Sequence, residues 1–177
     1  MMRDWRASKT PPPAPVPEPG QGSPIDDDIP QLKSLKSKFE SASKRTGVPT
    51  EVLAGIASRE SHAGKSLNKE GFDPDKKAFG VMQVDGRYHQ LRGTESPKSQ
   101  AHINQAAEIV RDNKKLMDKR FPNWTEEQRW RAAAAGYNMG PGNVKSLDHM
   151  DQGTTGGDYS EDVMKRAKAF RLIKDQR

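Results

Sequence analysis

Apolar residues recur at spacings of three and four along most of the chain beyond residue 30, which is the periodicity of helices with one buried face. The first such stretch is expected to end at Gly47 and Pro49, because neither residue favours continuation of a helix. Thr50 then offers an N-cap for a second helix, whose apolar stripe ends near Gly64. Two consecutive helices are therefore predicted at the start of the periodic region.

Helical spacing returns in the second half of the chain. It covers residues 99–119, and a capping box formed by Thr125 and Gln128 predicts the start of the next helix. The segment Gly140-Pro141-Gly142 is interpreted as a stop of that helix, with a new short helix from Pro141 as the alternative. Ser160 is expected to cap the last long helix. The pattern predicts five long helices in total.

Residues 66–98 lack helical periodicity and contain six glycine or proline residues. Their only strand-like segment is Phe79–Asp85, which is short. Such a long irregular stretch inside a compact domain is often functional. The sequence therefore predicts an α+β fold that is mainly α-helical, with a small irregular or β-containing lobe between helices.

The first part of the chain differs from the rest in composition. Eight of the thirteen prolines lie within residues 1–30. Residues 1–28 are therefore predicted to form a disordered proline-rich arm, and residues 29–177 a single domain. The arm is interpreted as a solvated linker or leader, with a proline-recognition ligand as the alternative.

The charge and composition of the chain limit the classes of function that it can have. The formal net charge of the 177-residue chain is +6, which favours anionic partners. The chain has no cysteine, no apolar run near the roughly 20 residues that cross a bilayer, and no visible secretory signal. The dense basic segment 111–120 is interpreted as a solvated helix face, with an anion-binding face as the alternative.

Glu60 is the most informative residue of the predicted second helix. At about 100° per residue, it falls between Ile56 and Leu53 on the apolar face. A carboxyl group in apolar surroundings has a raised pKa and suits general-acid catalysis near neutral pH. The alternative is a buried ion pair with Arg59, Arg87 or another base.

A glycosidase would need a second carboxylate across the cleaved bond. The glycine-rich stretch offers Asp73, Asp75 and Asp85, of which Asp85 follows the strand-like segment. The four histidines are scattered without ligand spacing, so no metal site is predicted.

Three segments carry a resemblance to a known family. Residues 57–65 resemble the catalytic-glutamate helix of goose-type (g-type) lysozymes, glycoside hydrolases related to lytic transglycosylases. Residues 79–85 resemble the next segment of that family, and residues 136–144 are similar to its Tyr-Asn-x-Gly-x-Gly-Asn-Val motif. The resemblance runs in order from about residue 30 to residue 170, and it implies a lysozyme-like fold with a substrate cleft.

The resemblance also implies roles for individual residues. Glu60 matches the general acid, and Asp85 matches one of two aspartates that position and activate water. The second aspartate is Asp73 or Asp75, which flank Pro74 where vertebrate members often carry a Gly-x-Gly-Asp motif. Four residues match positions that bind sugar: His89, Gln83, Tyr137 and Asn138.

The implied activity is that of a muramidase. It cuts the β-1,4 bond between N-acetylmuramic acid and N-acetylglucosamine in bacterial peptidoglycan, with inversion, and it binds N-acetylglucosamine oligomers. No cofactor or metal is implied, and neither a nucleic-acid partner nor membrane insertion is expected. A monomer is the default, acting against bacteria outside cells or in lysosome-like compartments. The alternatives are a lytic transglycosylase, which yields anhydro products, and a catalytically silent wall-binding protein.

Overall fold

The computed structural model describes residues 25–74 and 77–175. Five α-helices are found in these residues, together with a two-stranded antiparallel sheet. The helices are α1 (Ile29–Thr46), α2 (Thr50–Ser61), α3 (Gln100–Arg120), α4 (Glu126–Met139) and α5 (Tyr159–Asp175), and the strands are β1 (Ala78–Phe79) and β2 (Val84–Asp85). The predicted mainly helical α+β class is confirmed. Among the described helices, none combines the length and the apolar character that a membrane crossing requires.

Helix α2 lies at the centre of the packing. It contacts α5 most extensively and also packs against α1 and α4. Gly55 permits the close approach to α5, because a methyl group there would lie 2.5 Å from the carbonyl oxygen of Val163. All residues from Val52 to Ser58 are buried, which explains why α2 can hold a functional group at a fixed position.

The ends of the first two helices follow the sequence in part. Gly47 ends α1 in the left-handed conformation, as expected for a glycine after a helix. Pro49 occupies the N-cap position of α2, so the prediction that Thr50 is the cap is wrong by one residue. Helix α2 stops at Ser61, before Gly64, because His62 and Ala63 both adopt positive φ angles.

The packed domain begins earlier than the predicted boundary at residue 28. Ile25 is fully buried in the main core, and Asp28 is 1% exposed. Asp28 accepts a 2.6 Å hydrogen bond from the hydroxyl of Ser58 and pairs with Lys65 at 2.9 Å. These contacts bind residues 25–28 to the domain, whereas residues 1–24 of the predicted arm lie outside the described residues.

Helices α3 and α4 pack against each other and share a network of charges. The predicted capping box at the start of α4 is confirmed, with reciprocal hydrogen bonds between Thr125 and Gln128. Lys114, in the basic segment of α3, is nearly buried and binds Asp118 and Glu126. The most buried cation of that segment is therefore neutralised by carboxylates.

The predicted strand 79–85 is a hairpin. Ala78 pairs with Asp85 and Phe79 pairs with Val84, with a turn between the two strands. Gly80 and Gln83 reverse the backbone through positive φ angles of 81° and 53°. The side-chain amide nitrogen of Gln83 donates to the backbone carbonyl oxygens of Ala78 and Gly80, which closes the turn.

The start of α5 is capped by a distant carboxylate. Helix α5 begins at Tyr159, so the prediction that Ser160 is its cap is wrong. Instead, the buried carboxylate of Asp151 accepts hydrogen bonds from the backbone N–H groups of Ser160 and Glu161 and from the Ser160 hydroxyl. Arg131 on α4 also pairs with Asp151 at 3.3 Å. This carboxylate fixes the first turn of α5 to the preceding loop.

The Asp151→Ala variant should be less stable by roughly 2–4 kcal/mol, because two backbone donors and a hydroxyl lose their acceptor. Urea unfolding of the variant and of Asp148→Ala measures the difference. Asp148 is exposed and lies in the same segment, so its replacement should change the free energy of unfolding by less than about 0.5 kcal/mol. Equal stability of both variants would contradict the capping role.

Candidate active site

A cleft of about 880 Å³ lies between the hairpin of β1 and β2, the turn that follows β2, and helices α3 and α4. This volume is at the upper end of the range for sites that take small ligands, roughly 300–1,000 Å³. Five of the residues predicted from the sequence line it: Gln83, Asp85, His89, Tyr137 and Asn138. The structure therefore brings the predicted sugar-binding residues to one surface.

Glu60 lies in the last turn of α2 and is half-buried. The hydroxyl of Tyr159 donates a 2.7 Å hydrogen bond to Oε2 of Glu60 and so fixes the orientation of the carboxyl group. Arg59, one of the cations considered as an ion-pair partner, binds Asp158 and Asp162. These two pairs attach the end of α2 to the start of α5 beside Glu60.

A second tyrosine lines the cleft and lies within electrostatic reach of Glu60, which is not among the residues that line the cleft. Tyr137 on α4 donates a 2.6 Å hydrogen bond to the carbonyl oxygen of Met82. Burial raises the pKa of the Tyr137 and Tyr159 hydroxyls well above the usual range, and the nearby Glu60 carboxylate adds to both rises. Both hydroxyls therefore stay protonated at neutral pH and remain hydrogen-bond donors.

Asp85 lies at the end of β2, on the cleft wall. The guanidinium of Arg87 binds both of its carboxylate oxygens, with the shortest distance 2.7 Å, and the Arg87 backbone N–H donates to Oδ1 at 2.8 Å. Hydrogen bonding to Arg87 lowers the pKa of Asp85 below its usual value. Asp85 is therefore ionised at neutral pH and suited to holding a polar molecule such as water.

Backbone pairing between the segment at Phe72 and the hairpin places Asp73 near Asp85. Phe72 forms an antiparallel bridge with Phe79, so Asp73 approaches the level of Ala78, which pairs with Asp85 on its other side. Two interstrand spacings separate the backbones of the two aspartates by roughly 10 Å. Asp75, the other candidate, lies outside the described residues.

The remaining predicted residues have specific contacts. Asn138 exchanges two hydrogen bonds with Thr155, which attaches the loop before α5 to the cleft wall. Gln83 uses its amide nitrogen within the hairpin turn, as described above. The exposed His89 donates its backbone N–H to the carbonyl oxygen of Asp85, and it lines the cleft.

His102 on α3 packs against the hairpin and accepts a hydrogen bond from it. It is fully buried, and its Nε2 atom accepts a 3.0 Å hydrogen bond from the backbone N–H of Met82. A side chain at Gly80 would overlap the His102 ring, so the hairpin rests directly on it. Burial lowers the pKa of His102 from 6.5 to about 4. The ring is therefore neutral in the folded protein at neutral pH.

This shift predicts a loss of stability in mild acid. Between pH 6.5 and 4 the unfolded chain binds a proton at His102 that the folded protein does not, so stability falls as the pH falls. The total loss from this group is about 3 kcal/mol. Urea titrations at several pH values should show it, and His102→Gln should remove that part of the pH dependence. A His102 ring resonance that titrates near pH 6.5 would contradict this prediction.

Little in the sequence indicates that Tyr159 and His102 belong to the site. Tyr159 stands 99 positions from Glu60, so only the tertiary structure shows that its hydroxyl binds the carboxylate. His102 precedes Ala106 by one helical turn on the buried face of α3, which is the signal that could have identified it. In the described ranges, no three His, Asp or Glu side chains are grouped so as to hold a metal ion.

A helical domain with a half-buried glutamate, a ligand-sized cleft and a small β hairpin defines the lysozyme-like fold class. The profile of the family described as "Lysozyme g" matches residues 25–173. The chain therefore belongs to the lysozyme g family, and the predicted resemblance is confirmed.

Individual relatives support the same assignment. The chain is 44% identical to "Lysozyme g" of Gallus gallus over 139 residues, and 40% identical to that of Struthio camelus over 144 residues. It is 39% identical to "Lysozyme g" of Casuarius casuarius. The matches cover 76%, 81% and 81% of this chain, and 64%, 69% and 76% of the respective relatives. The match thus spans just under two thirds of the Gallus gallus protein.

Proposed function

We propose that this protein is a muramidase that hydrolyses the β-1,4 bond between N-acetylmuramic acid and N-acetylglucosamine in peptidoglycan. The observation that carries the proposal is the position of Glu60. It is half-buried at the end of α2, it is oriented by the Tyr159 hydroxyl, and it belongs to a chain of the lysozyme g family. Membership of this family, whose named relatives are lysozymes, supports the glycoside hydrolase class.

In the proposed reaction, protonated Glu60 donates its proton to the glycosidic oxygen as that bond breaks. The sugar then develops positive charge at its anomeric carbon, as in other glycosidases. Tyr159 contributes by holding Oε2, which restricts rotation of the carboxyl group. A fixed carboxyl plane keeps the acidic proton aimed at the leaving oxygen.

Water attack is assigned to the aspartates. Asp85, together with Asp73 or Asp75, would hold a water molecule on the face of the sugar opposite Glu60 and accept its proton. Space for that water requires about 6.5–9.5 Å between the acid and the base, and the product then has inverted configuration. The ionised state of Asp85 supports its part in this step, although Arg87 must share the carboxylate with the water.

Four further residues are proposed to bind the glycan: Gln83, His89, Tyr137 and Asn138. All four line the cleft. The exposed His89 offers its imidazole to sugar hydroxyl and acetamido groups, whereas the Gln83 and Asn138 amides and the Tyr137 hydroxyl already bind protein atoms and would contact the sugar through their remaining acceptor capacity and their surfaces. Oligomers of N-acetylglucosamine should bind the same surface. We place the reaction in antibacterial defence outside cells or in lysosome-like compartments, with the enzyme as a monomer.

Mass spectrometry of purified peptidoglycan after digestion tests the proposal. Fragments with free reducing ends, absent after incubation with Glu60→Gln, would support a muramidase. Fragments with anhydro ends, which are one water lighter, would show that the reaction is lytic transglycosylation and not hydrolysis. Binding of peptidoglycan without the release of any fragments would show that the protein recognises the wall without cleaving it.

A further inference from the structure

We infer that the ring of Tyr88 is a stacking platform for an N-acetylated sugar of the glycan, in the subsite next to Asp85. This inference rests on the proposed function, because it assigns a specificity residue of the same cleft. It concerns a residue to which the sequence resemblance gave no role.

The exposure of Tyr88 distinguishes it from the other described tyrosines. Its relative exposure is 78%, whereas Tyr159 is 1% exposed and Tyr137 is half-buried. Only Leu116, at 37%, is also a large exposed hydrophobic residue in the ranges that the structure describes. Leu116 does not line the cleft, but Tyr88 does. An aromatic ring left in solvent at the wall of a ligand cleft is a typical binding contact.

The turn that carries Tyr88 is preorganised. The carbonyl oxygen of Asp85 accepts hydrogen bonds from the backbone N–H groups of Tyr88 and His89, at 3.2 and 3.1 Å. The side chain of Asp85 additionally accepts from the N–H of Arg87 at 2.8 Å. The backbone under the ring is therefore fixed before any ligand arrives, which lowers the entropy cost of binding.

The position of the ring defines the subsite. Because Tyr88 follows Asp85 in a tight turn, their Cα atoms are less than about 7 Å apart. A sugar stacked on Tyr88 is thus a near neighbour of the sugar that reacts beside Asp85. The cleft is also lined by Arg92 and Glu108, whose guanidinium and carboxylate pair at 3.2 Å.

The chemistry of the ring fits a sugar with equatorial substituents. In β-linked N-acetylhexosamines the polar groups lie around the rim, and both faces present C–H groups. The face of an aromatic ring is negative and attracts such weakly positive hydrogens. The guanidinium carbon of Arg87 lies over the Tyr88 ring, 5.6 Å from its centre, so the sugar would stack on the opposite face. Arg87 also binds the carboxylate of Asp85, which limits the movement of the guanidinium beside the ring.

Titration calorimetry with N-acetylglucosamine hexamer tests the platform. The titrations use the Glu60→Gln background, so that binding is measured without cleavage. Tyr88→Ala should weaken hexamer binding about 5–10-fold, the effect of losing one aromatic contact, whereas Tyr88→Phe should stay within about twofold. Leu116→Ala is the matched control, because it removes an exposed apolar side chain outside the cleft, and it should bind as the parent does.

Steady-state cleavage of peptidoglycan, with Glu60 present, gives a second readout. Tyr88→Ala should raise KM by a similar factor and leave kcat within about twofold, with an unchanged melting temperature. Equal hexamer affinity of Tyr88→Ala and its parent would overturn the platform while leaving the proposed function intact. An equal loss in Tyr88→Phe would also overturn it, because the hydroxyl and not the ring face would then bind. Failure of the parent to bind hexamer would overturn the platform, and failure of the unmutated enzyme to cleave peptidoglycan would separately overturn the proposed function.

Discussion

Replacing Glu60 by glutamine should reduce the rate of peptidoglycan cleavage by at least about 10²-fold. Glutamine keeps the shape of the side chain and still accepts the hydrogen bond from Tyr159, but it has no proton to give to the leaving oxygen. Loss of a general acid typically costs 10²–10⁴-fold in rate. The measurement is the release of reducing ends from purified peptidoglycan at a series of substrate concentrations.

Glu51→Gln is the matched control for this variant. Glu51 lies in the first turn of the same helix, at the end remote from Glu60, so the substitution makes the same chemical change outside the site. The control should retain cleavage within about twofold. Near-full activity of Glu60→Gln would remove Glu60 from the role of general acid. Equal losses in both variants would point to damage of α2 instead of lost acid catalysis.

Replacing Asp73 and Asp85 together by asparagine should reduce hydrolysis by about 10²-fold, and each single change by about 10-fold. Water that is no longer held or deprotonated attacks slowly, although bulk water partly substitutes. The distribution of products is as informative as the rate. If anhydro ends appear while total cleavage is unchanged, the aspartates direct the reaction to water without being needed for bond breaking.

Asp112→Asn serves as the control for the double variant. Asp112 also lines the cleft, but it pairs with Arg111 on α3 and not with the hairpin. Its replacement should leave hydrolysis within about twofold. Full hydrolytic activity of the double variant, with ordinary reducing ends, would contradict the assigned role of the aspartates.

The helical frame was predictable from the sequence because its signals are local. Apolar spacing, the glycine after α1 and the reciprocal cap at Thr125 and Gln128 each depend on residues within a few positions. The placement of Glu60 on an apolar face follows from the same periodicity. These features need no knowledge of distant parts of the chain.

The predictions that failed depend on residues far apart in sequence or on unusual backbone angles. Serine is a residue type that often caps a helix, but the backbone N–H group of Ser160 in the first turn of α5 donates to Asp151, nine residues earlier. The segment 79–85 resembles one strand, yet Gln83 adopts a conformation that favours glycine and reverses the chain. The contact between Tyr159 and Glu60 joins two helices, and periodicity within either helix carries no trace of it.

The distant cap on α5 has a consequence for how the enzyme loses activity. Tyr159 is the first residue of α5, and the hydrogen bonds of Asp151 hold the turn that it begins. Helix ends open more readily than whole domains, so this turn can fray while the other helices stay packed. Each such opening withdraws the tyrosine hydroxyl from Glu60. Inactivation on heating should then precede global unfolding, and amide exchange at the start of α5 would measure the lifetime of the competent site.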